Sequence, residues 1–76
     1  MKLTALKKGE RGVIVSFDEI DKRFCNRLYD IGITVGSEII LLDILGFGTL
    51  FYLLVDDLHF CIRLANAEKI VIEKIR

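Results

Sequence analysis

Glu38-Ile-Ile-Leu-Leu-Asp-Ile-Leu-Gly-Phe-Gly-Thr-Leu-Phe-Tyr-Leu-Leu-Val55 is the stretch whose reading decides the fold. From Ile39 onward it is almost entirely apolar and nearly long enough to cross a membrane as a helix. Three features oppose a membrane helix. Asp43 would lie within hydrocarbon, Gly46-Phe47-Gly48 interrupts the run, and enrichment in Ile, Phe, Tyr and Val suits a pleated surface. The stretch therefore reads as two strands, Glu38 to Leu45 and Leu50 to Val55, joined by a glycine-rich hairpin turn.

Both strands break the alternation expected of a half-solvated antiparallel sheet. In the first, one parity carries Ile39, Leu41 and Leu45 around Asp43, and the other carries Ile40, Leu42 and Ile44. In the second, Leu50, Tyr52 and Leu54 oppose Phe51, Leu53 and Val55. A small barrel has one interior, so the second apolar face needs cover from the chain's own helix and termini, or from another chain. Both readings stand at this level. The second makes Leu50, Tyr52 and Phe47 at the hairpin tip candidate partner contacts.

The rest of the chain supplies the frame around this hairpin. Leu3 to Lys8 reads as a turn of helix stopped by Gly9, and Gly12 to Phe17 as the first strand. Asp21 to Ile31 is the one clear helix, with Asp18 or Asp21 as cap, Phe24, Leu28 and Ile31 on the face that should pack against the sheet, and Gly32 as stop. Thr34-Val35-Gly36 makes a turn, Leu58 to Leu64 a fourth strand after Asp56-Asp57, Ala65 to Lys69 a helical turn, and Ile70 to Ile75 a closing strand. The fold class is mainly β: a small SH3-like or OB-like barrel of about five antiparallel strands and one short helix, forming a single domain over residues 1–76.

Composition narrows the function classes. At 76 residues there is room for one core, and 53% hydrophobic content excludes disorder. Eleven Lys and Arg balance eleven Asp and Glu, whereas nucleic-acid binding usually leaves a basic surplus. No apolar run with a cleavage site opens the chain, so a cytoplasmic location is expected, with Cys25 and Cys61 as reduced thiols.

Two clusters carry candidate chemistry. His59, Cys61 and Arg63 share one face of the fourth strand, opposite Phe60, Ile62 and Leu64. His59 and Cys61 at i and i+2 are weak candidates for a divalent metal such as ferrous iron, since two ligands do not make a site. On the helix, Arg23 and Arg27 are four residues apart with Asp30 three beyond. They read either as a solvated face with an Arg27–Asp30 pair, or as exposed forks for a partner's carboxylates or phosphates. Phosphate-binding loops, dinucleotide fingerprints and nucleophile elbows are all missing, so an enzyme is not expected.

Leu3, Leu6 and Gly9, then Arg27-Leu28-x-Asp30-Ile31-Gly32-x-x-x-Gly36, then Ile62-Arg63-x-x-x-Ala67-x-x-Ile70-x-Ile72, make up a pattern spanning nearly the whole chain. It resembles the FeoA-type ferrous-iron transport accessory proteins. The resemblance implies an SH3-like barrel in the bacterial cytosol that supports or regulates a FeoB-type membrane transporter, whose cytosolic part binds GTP. Contact with the membrane would be only through that partner. It also implies Leu28 as core anchor, Asp30 within the motif, Gly32 as helix stop and Gly36 as turn residue. Three departures stand out: Val35 where the family commonly has proline, Asp57 where glycine is common, and an apolar Gly46-to-Leu50 turn where the family's is polar. The first two lead one to expect looser turns, and the third favours a contact at Phe47. Competing readings are a metal-sensing module, since similar domains are appended to iron- and manganese-dependent repressors, a small nucleic-acid-binding barrel, and a homo-oligomer.

Overall fold

A computed structural model describes residues 1–17 and 21–75 of the chain. Asp18, one of the two expected helix caps, lies outside them. The strands are β1 (Arg11–Phe17), β2 (Glu38–Leu45), β3 (Leu50–Val55), β4 (Leu58–Arg63) and β5 (Ile70–Ile75). They form one sheet in the order β4-β3-β2-β1-β5, every neighbouring pair antiparallel. β1 bends the sheet round. Arg11 to Val13 pair with β2, whereas pairing with β5 runs from Arg11 to Phe17 past an irregularity between Ile14 and Ser16. Leu3, Ile14, Leu28, Ile39, Leu41, Phe51, Leu53, Val55, Ile62, Ile70 and Ile72 are buried together inside this curl.

Part of the doubled apolar pattern of β2 is explained by a bulge. Register shifts between Leu41 and Asp43, leaving Leu42 as the extra residue. Before the bulge Ile39 and Leu41 oppose the buried Val55 and Leu53. After it Ile44 opposes the buried Phe51, while Asp43 opposes Tyr52. Strict alternation would put Asp43 on the inward parity of Ile39 and Leu41. One inserted residue moves its carboxylate to the outer face, where Lys8 Nζ lies 3.2 Å away.

α1 (Lys22–Asp30) starts at Asp21, whose carboxylate accepts from the Arg23 N–H at 2.9 Å. It ends in a Schellman motif: the Gly32 N–H donates to Tyr29 O at 3.0 Å, the Ile33 N–H to Leu28 O at 2.8 Å, and Gly32 holds φ +92°. Leu28 and Ile33, which the motif brings together, are both buried. Ile31 departs from expectation and is 44% exposed. The helix stops at Asp30, so Ile31 is the C-cap and its backbone, at φ −95° and ψ 4°, leaves the helical face that Phe24 and Leu28 share.

The connections are tighter than the departures at positions 35 and 57 led one to expect. The Ser37 N–H closes on Thr34 O at 2.9 Å and Gly36 takes φ +95°, the left-handed position a type II turn requires. Asp57 does not need glycine, because the positive φ, +53°, falls on Asp56. Two boundaries also move. The N-terminal turn is a 3-10 turn covering only Leu3–Ala5. Leu64 leaves β4 to begin α2 (Leu64–Ala67).

Candidate docking surfaces

The β2–β3 hairpin ends in an aromatic held out in solvent. Gly46, Phe47 and Gly48 all have positive φ, at +58°, +56° and +88°. The turn closes on itself: the Gly48 N–H donates to Leu45 O at 3.2 Å, the Thr49 N–H to Leu45 O at 3.1 Å, and the Thr49 hydroxyl to Gly46 O at 2.6 Å. Phe47 has 109% relative exposure, and Ile44 and Leu45 beside it 40% each. A left-handed conformation costs a non-glycine residue roughly 1–2 kcal/mol, and exposure of this ring returns nothing to the core. Backbone strain of this kind clusters at active sites, ligand clamps and switch regions.

Behind the tip lies the outer face of β2, β3 and β4. Ile40, Leu50, Tyr52 and Leu54 are half-buried there, in register with the exposed Arg63, Cys61 and His59 of β4. α1 lies on the other side, with Leu28 in the core and Phe24 packed against it. The candidates Phe47, Leu50 and Tyr52 therefore fall on one continuous hairpin, while Arg23 and Arg27 sit elsewhere on exposed positions of α1. Among the described residues neither arginine has a carboxylate within ion-pair distance, and the Arg27–Asp30 pair does not form.

His59 and Cys61 are neighbours on the outer face, but His59 is engaged: one hydrogen bond of 2.7 Å joins its Nδ1 to the Tyr52 hydroxyl, and the two rings stack at 5.5 Å. Cys25 borders a groove with Val15, Phe17 and Tyr29, on the opposite flank of α1 from Cys61. No group of three or more His, Cys, Asp or Glu side chains capable of holding a metal occurs among the described residues.

Two carboxylates have clear electrostatic roles outside these surfaces. Glu10 is held below its ordinary pKa by hydrogen bonding to the Lys74 ammonium and then to the Lys7 N–H, which tie the loop before β1 to β5. Asp43 is lowered first by the Ile44 N–H and then by Lys8, pinning the same loop to β2. Sequence reasoning missed one feature here. A groove between α1 and β4 is lined by Phe24, Arg27, Leu28, Ile31, Phe60 and Cys61. The helical spacing of Phe24 and Leu28 and the inward parity of Phe60 were legible, but their juxtaposition depends on where α1 docks.

The FeoA domain family profile matches residues 1–74. The chain belongs to the FeoA family. No protein of curated function matches it. Among solved structures, the FeoA protein from Chlorobium tepidum superposes with TM-score 0.94 at 25% identity, covering all of this chain and 71% of that one. FeoA of Stenotrophomonas maltophilia complexed with zinc gives 0.77 at 21% identity, covering 96% of this chain and 89% of that one. A manganese-dependent transcriptional repressor in complex with manganese gives 0.87 at 18%, covering 99% of this chain, which spans only 36% of the repressor. The SH3-like architecture is thus shared between FeoA proteins and one part of metal-dependent repressors. In FeoA terms, the motif from Arg27 to Gly36 is the helix-to-strand corner: Leu28 anchors it in the core, Gly32 ends α1, and Gly36 turns the chain into β2. Among the described residues no helix is long and apolar enough to cross a membrane, and the run from Ile39 to Val55 is the β2–β3 hairpin.

Proposed function

We propose that this FeoA domain is a non-catalytic accessory module of ferrous-iron uptake, acting in the cytoplasm by docking on the GTP-binding part of a FeoB-type transporter. The observation that carries the proposal is Phe47, fully exposed in a left-handed conformation at the tip of an apolar hairpin. Aromatic side chains are the commonest anchors of protein interfaces, and one preset by a closed turn loses little entropy on binding. Leu50, Tyr52 and Leu54 extend the contact along the outer face. Neutral net charge leaves attraction to apolar groups unopposed by long-range repulsion, and a homo-oligomer would compete for the same face.

Binding of the transporter's isolated cytosolic domain, measured by titration, tests this reading. Wild type binds, and Phe47→Ala weakens binding at least tenfold, about 1.4 kcal/mol, without changing thermal stability. Absence of binding, or equal binding by both proteins, would sink the assignment. A second reading is favoured by the zinc and manganese named for the two superposed relatives: that His59 and Cys61 take up a divalent metal. Stoichiometric ferrous or zinc binding lost in both His59→Ala and Cys61→Ser would promote it.

A further inference from the structure

We propose that the groove between α1 and the outer edge of β4 takes an extended segment of a partner protein, carrying an apolar side chain and acidic ones at two-residue spacing, which adds to the sheet beside β4. The two edges of the sheet are treated differently. β5 is covered where it is most apolar: the Ile72 N–H donates to Met1 O at 2.7 Å, the Met1 ammonium donates to Ile72 O at 2.9 Å, and Lys2 bridges Val71. Beyond that cover it carries Glu73 and Lys74. Charges of this kind blunt an edge against unwanted pairing.

β4 has no such cover, and its one full charge is Arg63 at its end. Its register with β3 is unbroken by any bulge, and it contains neither proline nor lysine. Among the described residues its backbone has no partner on the side away from β3. A two-residue hairpin makes the pair next to the turn, Val55 and Leu58, hydrogen-bonded, so Phe60 and Ile62 also bond inward and His59, Cys61 and Arg63 present N–H and C=O groups outward. The Leu64 N–H donating to Thr49 O at 2.8 Å continues the same phase. Three residues of strand edge thus stand ready for a ladder, and main-chain pairing of this sort supplies affinity while side-chain pockets supply selectivity.

The groove along that edge determines what such a strand must carry. Phe24, Leu28, Ile31 and Phe60 give it apolar walls, and the exposed Ile31 marks one end, close to a second depression formed with Leu58. Arg27 borders the same groove and Arg23 stands one turn earlier, about 6 Å along the helix axis. Every ion pair among the described residues lies elsewhere, at Lys8–Asp43, Arg11–Glu38 and Lys74–Glu10. Guanidinium forks match carboxylates. On an extended chain, side chains at i and i+2 point the same way about 6.6–6.8 Å apart, which fits the Arg23–Arg27 spacing. Two cations therefore favour acidic side chains over a single terminal carboxylate, and the Ile31 end takes the apolar residue. The inference holds whichever protein carries the segment, so it stands apart from the transporter reading.

The test is selection of the full chain against a displayed library of random internal peptides with no free C-terminus. An end-capped copy of the enriched sequence is then titrated into isotope-labelled protein. The enriched sequences should share apolar-x-acid-x-acid or its reverse, Arg27→Glu should weaken the peptide at least tenfold with Arg27→Lys intermediate, and amide exchange should slow at His59, Cys61 and Arg63. Arg27 is exposed, so both variants fold. The proposal is overturned by no enrichment over a blank surface, by affinity indifferent to Arg27→Glu, by shifts at residues 46–48 in place of β4, or by protection of the β4 edge through self-association without peptide.

Discussion

Phe47 separates stability from binding at a single position. Its ring buries nothing and its φ of +56° is unfavourable for any side chain. Phe47→Gly should therefore leave the unfolding free energy unchanged or raise it by up to about 1 kcal/mol, as relief of strain outweighs the extra freedom of an unfolded glycine. The same substitution should remove docking, and chemical denaturation beside a binding titration reads both. Gly32 gives the opposite case. At φ +92° a Cβ meets no neighbour, yet the conformation itself penalises alanine, so Gly32→Ala should cost about 1–2 kcal/mol. A domain of this size would lose roughly 4–8 °C in Tm per kcal/mol. Roles that depend on local geometry were legible in the sequence: the Gly32 stop, the Gly36 turn, Asp21 as one of two caps and the Phe47 tip all follow from residues within a few positions. Ile31 was not, because extending a helical face by i+7 assumes that the helix continues, and the Schellman motif ends it one residue earlier.

Strand positions were legible to within a residue or so, since runs of β-branched and aromatic residues between Gly and Asp punctuation leave little freedom. The face each residue occupies was harder to read in β2. A bulge has no composition signature there, and a single inserted residue reverses every side chain beyond it. At this scale α1 depends on one anchor. Leu28 is 1% exposed while the remaining helix residues are half-buried or exposed, so Leu28→Ala should destabilise the domain by about 2–5 kcal/mol. Loss of amide protection along residues 22–30 would locate the damage. The loop before β1 is held electrostatically, with Glu10 on Lys74 of β5 and Asp43 of β2 on Lys8. Both carboxylates have folded-state pKa values below their ordinary 4.5 and 3.8, so their stabilisation is complete above those values and is lost as pH falls through the depressed ones. The double variant Glu10→Gln/Asp43→Asn should flatten the acid limb of a Tm-against-pH curve below about pH 4.5. An unaltered limb would remove these pairs from the account.

For the whole molecule, the question raised by two doubly apolar strands has a divided answer. The inward set fills the core, while Ile44, which the bulge moves to that parity, stays 40% exposed beside the hairpin tip. The outer set, Ile40, Leu50, Tyr52 and Leu54, stays half-buried. A small SH3-like or OB-like barrel was legible from the number and spacing of strands, and the SH3-like choice between them came from the family resemblance. The α1–β4 groove was not, since it forms only when residues 24–31 and 60–61 meet in the folded chain. The central claim is docking through the β2–β3 hairpin, and its most direct measurement is an amide chemical-shift map of the labelled chain titrated with the GTP-binding domain of a FeoB-type transporter. Perturbations concentrated at residues 44–50 and running along Tyr52 and Leu54 are the predicted result. A silent spectrum, or one perturbed everywhere except that hairpin, would contradict it.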